Sequence, residues 1–303
     1  MNSQNLFRPT DIHDMLERNQ LFYTDAAIRA WRAFKPRASD IIIATFPKSG
    51  TTWMQQILHT LRTGGDMDFE EISMVVPWME IAYDMGIDLG AEQPAPRLFK
   101  SRLSADQVPP GARYIVIFRN SADVLRSYYE FMDGWFFEPG SISITEFAEY
   151  AFFDQSGFED YWHHLITWWP RRSDRDVLMF CYEDMKEHID EVINSVANHA
   201  GIDLGEELLA TTRLHSSHAF MREHASQFDE HATQQALNPI CRLPAGGPAS
   251  KVTTEKKKDE RIEIPAAIHR RIEGIWQLQI KPLTGLASYN EMRRAILDSN
   301  NQD

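Results

Sequence analysis

Residues 41–53 read Ile41-Ile42-Ile43-Ala44-Thr45-Phe46-Pro47-Lys48-Ser49-Gly50-Thr51-Thr52-Trp53. The β-branched run Ile41–Ile43 has the stiffness and bulk of a buried strand. A short polar loop follows, carrying Lys48, Gly50 and the hydroxyls of Thr51 and Thr52. Beyond it Trp53, Ile57, Leu58 and Leu61 recur at the spacing of an apolar helix face. Strand, loop and helix in this order aim backbone N–H groups and the positive end of a helix dipole at an anion, typically a phosphate. A loop lysine and hydroxyls at the helix start add charge-assisted and neutral hydrogen bonds to the same ligand.

The loop departs from the ATP-binding pattern G-x-x-x-x-G-K-[ST]. Gly50 fits the second glycine, but Thr45 stands at the first, and Lys48 precedes Gly50 by two residues. A lysine moved in this way reaches a different end of the ligand. The bland alternative is a polar βα turn that binds nothing.

Working outward, short apolar runs at Ile41–Thr45, Arg97–Lys100, Tyr114–Phe118 and Val177–Tyr182 lack clean alternation, which favours buried parallel strands. Helix patterns fall at 11–18, 51–63, 121–132, 145–151, 158–168, 186–200, 205–213 and 265–275. The alternation predicts an α/β fold: a P-loop-like central parallel sheet flanked by helices on both faces. Ligands of such sheets bind at the carboxyl ends of the strands. Polar residues are delivered there by Lys48 and its neighbours, by Arg119-Asn120 and by Tyr182-Glu183. No linker stands out, so residues 1–303 are expected to form one domain, with a helical, peripheral segment over 1–35. Two loops are expected, Gly134–Ile142 and the Pro- and Gly-rich stretch 237–254.

Composition narrows the function class. A net charge of −13 argues against a broad nucleic-acid surface, although a small anion responds to its local site. The run Lys256–Lys258, flanked by Glu255, Asp259 and Glu260, reads as a solvated face. No apolar stretch has the length of a membrane span, and Met1–Arg18 lacks the apolar centre of a signal peptide. Two cysteines, Cys181 and Cys241, are too few for a disulfide framework, which suits a reducing cytoplasm.

A second candidate phosphate site lies in Tyr114–Tyr129, where a strand ends at Arg119 and a helix starts two residues later. The Arg119 guanidinium is a fork suited to phosphate, and Ser127 adds a hydroxyl. Alternatively, Arg119 pairs with Asp123. Together, Pro47-Lys48-Ser49-Gly50-Thr51-Thr52-Trp53 and the Arg119/Ser127 spacing resemble the 5′-phosphosulfate loop and 3′-phosphate site of the cytosolic sulfotransferase family. Phe180-Cys181-Tyr182-Glu183-Asp184-Met185 is similar to the family segment whose tyrosine approaches adenine, and His215–Met221 to the segment supplying Ser216 and Met221 near that base. His218 replaces the usual phenylalanine there. The resemblance implies adenine stacking for Trp53, for which ordinary helix packing is the alternative, as strand-end packing is for Tyr182. It covers roughly residues 35–280.

The resemblance implies 3′-phosphoadenosine 5′-phosphosulfate (PAPS) as donor and adenosine 3′,5′-bisphosphate (PAP) as product. Sulfuryl transfer would go to a hydroxyl or amine of a small aromatic or lipid-like acceptor, with Lys48 assisting the leaving oxygens. No metal is expected, since the leaving phosphate belongs to one nucleotide. The family's Lys-Thr-His segment appears as Lys100-Ser101-Arg102, so arginine stands where the catalytic histidine belongs. With a pKa above about 12, arginine cannot act as a base. Glu80, Glu130 and Asp133 are alternative bases, His218 a weaker one; Arg102 can instead hold an anionic acceptor group or the sulfuryl oxygens. In the late donor loop Arg242 and Gly247 match the family, the remaining basic residues are missing, and Lys251 is a possible replacement. Val76–Glu80 and Trp135–Phe137 offer apolar walls for an acceptor, or simple packing. Competing functions are a nucleotide-binding homologue without transferase activity and a nucleotide kinase with a variant phosphate loop. The oligomeric state is left open.

Overall fold

The computed structural model describes residues 6–153, 160–248, 250–252 and 261–300. The Lys256–Lys258 run and its acidic flanks lie outside the described residues. Four strands, β1 (Ile41–Thr45), β2 (Leu98–Ser101), β3 (Arg113–Phe118) and β4 (Val177–Cys181), form one sheet in the order β2-β1-β3-β4. All pairs are parallel, with Ile41 opposite Leu98 and Arg113, and Tyr114 opposite Val177. The expected strands are present, displaced by at most one residue at an end.

Why these runs are apolar throughout is visible in the packing. Side chains alternate across a strand, so a sheet covered on both faces needs apolar residues at every position. Ile41, Ile43, Ile115 and Ile117 face one side, against Ile57 and Leu58 of helix Thr51–Thr63 and Val192 and Val196 of helix Ile189–Ala200. Ile42, Ala44, Val116 and Met179 face the other, against Val124 and Leu125 of helix Ser121–Met132 and Leu165 and Trp168 of helix Tyr161–Trp168. The P-loop-like α/β architecture with helices on both faces is therefore present.

Several helix boundaries differ from expectation. Helix 51–63 and helix 121–132 stand as expected, the second capped by Asn120, which accepts from Ala122 N–H. The helix expected over 186–200 is interrupted at His188, whose ψ of 47° breaks the run between Tyr182–Glu187 and Ile189–Ala200. The pattern over 145–151 resolves into a turn of α-helix, Ile144–Phe147, continued by a π-turn, Ala148–Phe152. Helix Asp25–Ala33 falls within the segment 1–35 expected to be helical, and helices His218–Glu223, His231–Leu237 and Tyr289–Asn300 are additional to those expected.

The edge of the sheet remote from the strand carboxyl ends is held by a buried bidentate ion pair. Arg97 donates through Nε to Asp40 Oδ1 at 2.9 Å and through Nη2 to Oδ2 at 2.6 Å, tying the chain before β2 to the chain before β1. Trp135, Phe136 and Phe137 are buried in the core around Phe22, Phe131 and Tyr129, so their expected place in an acceptor wall gives way to packing.

Candidate active site

At the carboxyl ends of the strands lies a cavity of about 470 Å³. The loop after β1 contributes Lys48, Gly50, Thr51, Thr52 and Trp53. β2 ends on Lys100 and Arg102, β3 on Arg119, and β4 on Tyr182. Helix Ser121–Met132 adds Ser127, Glu130 and Phe131, and the later chain adds Ser216, His218, Met221, Glu230 and Lys251. Parallel topology explains the convergence, because every strand delivers the same end of its sequence to one edge.

The loop owes its shape to unusual backbone. Gly50 has φ of 109° and Lys48 φ of 65°, both in the left-handed region. A Cβ on Gly50 would meet Tyr182 Cδ2 at 3.0 Å, so glycine is required by both conformation and space. Thr45, standing where an ATP loop has its first glycine, shares a 2.5 Å hydrogen bond between its Oγ1 and that of Thr51. Arg119 donates from Nη1 to the Lys48 carbonyl at 2.7 Å and lies 4.4 Å over the Tyr182 ring. The alternative partner, Asp123, is taken by Arg126 at 2.7 Å. Trp53 and Tyr182 meet edge to face at 5.9 Å, leaving both on the cavity wall.

Lys48 projects its ammonium 4.0 Å over the ring of Phe131. Burial, with repulsion from Lys251 and Arg119 and a smaller opposing pull from Glu230, pushes it down to about 7. Lys100 is buried, 4.2 Å over Trp78 and 3.1 Å from Glu230 Oε1. Arg102 stacks at 3.8 Å on the same indole. Cations thus gather along the cavity although the chain as a whole carries −13.

Two expected site residues, Ser49 and Arg242, do not line the cavity, and a third, Ser216, lines it with its hydroxyl engaged. Ser49 is buried, with its Oγ unpartnered, and does not line the cavity. Arg242 stands away from it, 3.9 Å from Glu17, while its carbonyl accepts from Arg18. Ser216 reaches the cavity, but its hydroxyl donates to the Thr212 carbonyl at 2.6 Å, as a serine in the last turn of a helix can. Among the candidate bases, Glu130 and His218 line the cavity and Glu80 and Asp133 do not. Glu80 accepts from Arg102 N–H at 2.6 Å and from Ser101 Oγ at 3.3 Å, and burial pushes it up to about 7. It therefore braces the chain leaving β2. Asp133 accepts from Gly140 N–H at 2.9 Å, closing a turn.

Glu230 was not foreseen, since no local motif marks it. Glu71, Asp229 and His231 bring metal-ligand atom types within 4.8 Å of one another, but His231 Nδ1 pairs with Asp229 Oδ1 at 2.5 Å and Glu71 Oε2 accepts from Ala232 N–H at 2.7 Å. That group does not line the cavity.

A profile of the sulfotransferase domain matches residues 38–281. The chain belongs to the sulfotransferase family. Among curated relatives, mouse (Mus musculus) sulfotransferase 1 family member D1 is 32% identical over 205 residues, covering 64% of this chain and 70% of the relative. Mouse sulfotransferase 1E1 is 27% identical over 266 residues, 83% of this chain and 86% of the relative. Of solved structures, mouse sulfotransferase SULT7A1 complexed with PAP superposes with a TM-score of 0.63 at 16% identity, covering 91% of this chain and 94% of that one. Retinol dehydratase in complex with androsterone and inactive cofactor PAP gives 0.67 at 18% identity, covering 88% of each. At these identities the superpositions speak for the fold. Membership sets aside the nucleotide-kinase alternative and sharpens the departure at Arg102.

Proposed function

We propose that this chain is a sulfotransferase that moves the sulfuryl group of PAPS to a hydroxyl or amine of a small, aromatic or lipid-like acceptor, releasing PAP. The observation that carries it is the joint placement of the displaced Lys48, Arg119 and Ser127 in one cavity, in a chain whose family profile spans residues 38–281. The PAP present in the two solved relatives supports the same donor.

In this reading Gly50, Thr51 and Thr52 offer donors to the 5′-phosphosulfate, Arg119 and Ser127 to the 3′-phosphate, and Trp53, Tyr182 and Met221 flank adenine. The acceptor oxygen attacks sulfur, the bond from sulfur to the 5′-phosphate oxygen breaks, and both electrons of that bond leave with PAP. Such transfers have loose, in-line transition states, so positioning and charge stabilisation dominate. Lys48 stabilises the leaving oxygen and Lys100 the sulfuryl oxygens. Glu130, a carboxylate on the cavity wall, takes the acceptor proton, and Arg102, over the Trp78 ring, holds oxygen atoms of the sulfuryl group or of an acidic acceptor. The loss of Arg242 from the set leaves Lys251 as the late-loop cation in the cavity. Buried, unpaired Cys181 and Cys241 suit a reducing, cytoplasmic setting, and among the described residues no helix is long and apolar enough to cross a membrane.

The test is transfer of labelled sulfate from PAPS to a panel of phenols, alcohols, amines and lipids, beside PAP binding without Mg²⁺. Transfer to at least one acceptor is expected. Tight PAP binding with no transfer to any acceptor would favour the nucleotide-binding homologue instead.

A further inference from the structure

Glu230 is an unexpected residue to find in a site built for an anionic donor. Its carboxylate is 1% exposed, and it lines the cavity together with Lys100 and Lys251. Oε1 lies 3.1 Å from Lys100 Nζ and 2.6 Å from Lys251 Nζ, and Oε2 accepts from Thr233 Oγ1 at 2.6 Å. A negative charge here repels the donor, so its presence calls for a compensating effect.

That effect is visible at Lys100. Lys100 is 2% exposed, and burial disfavours its charged form, with Lys251 and Arg102 adding repulsion. Lys48, with Arg119 beside it, feels the same Lys251, Arg102 and Glu230. Glu71 feels Lys251 and Glu230 from behind, and Glu80 faces Arg102. Among these groups Glu230 is the carboxylate that opposes the loss of the Lys100 proton, and the two lysines in turn keep Glu230 ionised. A neutral amine would contribute no charge to a sulfuryl group in transfer.

We propose that Glu230 is a positioning residue, whose buried carboxylate clamps Lys100 and Lys251 together as paired ammonium groups at the reacting end of the cavity. The clamp recruits Lys251, from a loop that departs from the family pattern, into the site. The consequence for catalysis rests on the sulfotransferase reading above; the clamp itself does not.

The experiment is a pH titration of labelled lysine side chains by NMR, with the Lys100 signal assigned through Lys100→Met, alongside transfer rates for Glu230→Gln and Glu230→Asp. In Glu230→Gln, Lys100 is expected to titrate lower by at least about one pH unit. The transfer rate should fall about tenfold or more at high pH and recover as pH drops. Glu230→Asp should restore much of both. An unmoved Lys100 titration, or a rate loss equal at every pH, overturns the proposal. Should Glu230→Gln fail to fold, Lys251→Met serves: with one repelling cation gone and Glu230 left to it alone, Lys100 should titrate higher, and no rise overturns the clamp. Absence of any transfer by the wild-type chain, with the Lys100 shifts intact, defeats the sulfotransferase reading and leaves the clamp standing.

Discussion

At the scale of single residues, the proposed chemistry turns most on Lys48 and Arg102. The Lys48 ammonium, held at about 7 by burial and by Lys251 and Arg119, gains a counter-charge when an anion binds. Binding therefore raises its pKa and takes up a proton. The affinity contributed by Lys48 is fully present below about pH 7 and declines as pH rises through and beyond that value. Calorimetric titration with PAP should show this decline, and Lys48→Met should flatten it. The same variant should lower transfer by about a hundredfold or more while weakening PAP binding much less, since charge develops on the leaving oxygen only during transfer. Arg102→His tests the missing histidine: activity gained toward phenols would mean that a better base was introduced, and activity lost would mean that Arg102 holds the native acceptor. Unchanged rates on every acceptor would remove Arg102 from the reacting end.

At the scale of elements, the loop between β1 and helix Thr51–Thr63 depends on Gly50. An alanine there must adopt φ near 109° and place its Cβ 3.0 Å from Tyr182. Backbone strain of this kind costs about 1–3 kcal/mol. Gly50→Ala should lower the melting temperature by several degrees and weaken PAP binding, because relief of the contact moves Tyr182 from the cavity wall. A melting temperature and affinity equal to wild type would show that the loop has another accessible conformation. The hydrogen bond between the Thr45 and Thr51 hydroxyls ties the end of the strand to the start of the helix, so the hydroxyl at the first helical position is held before any ligand arrives.

Over the whole molecule, the cavity and the buried Arg97–Asp40 pair lie at opposite edges of the sheet. The Arg97–Asp40 pair is 5% and 0% exposed in its side chains and stands before the strands begin. Replacing Asp40 by asparagine leaves Arg97 without its charge partner, a loss of about 3–5 kcal/mol for a buried pair. Urea denaturation of Asp40→Asn should show that loss, while PAP affinity of the folded variant should stay near that of wild type. A large change in affinity would mean that the two edges communicate.

How much was legible beforehand follows from the range of each interaction. The strand, loop and helix of 41–63 and the Arg119/Ser127 spacing are local: a few neighbouring residues determine backbone shape and side-chain direction, so their pattern can be read along the chain. Continuous apolar strands implied a sheet covered on both faces, and the alternation of Ile41 and Ile43 against Ile42 and Ala44 is its physical form. What only the tertiary structure decided involves residues far apart in sequence. Arg242 lies beside Glu17, Ser49 turned inward, and Glu80 became a brace, because each met partners distant in sequence or packing that no local motif announces. Glu230 met Lys100 across 130 positions of chain, which no spacing rule could register. The pattern of the loop around Lys48 carries the proposed donor; the folding of distant segments over it determined which cations surround Lys48 and Lys100 in the cavity.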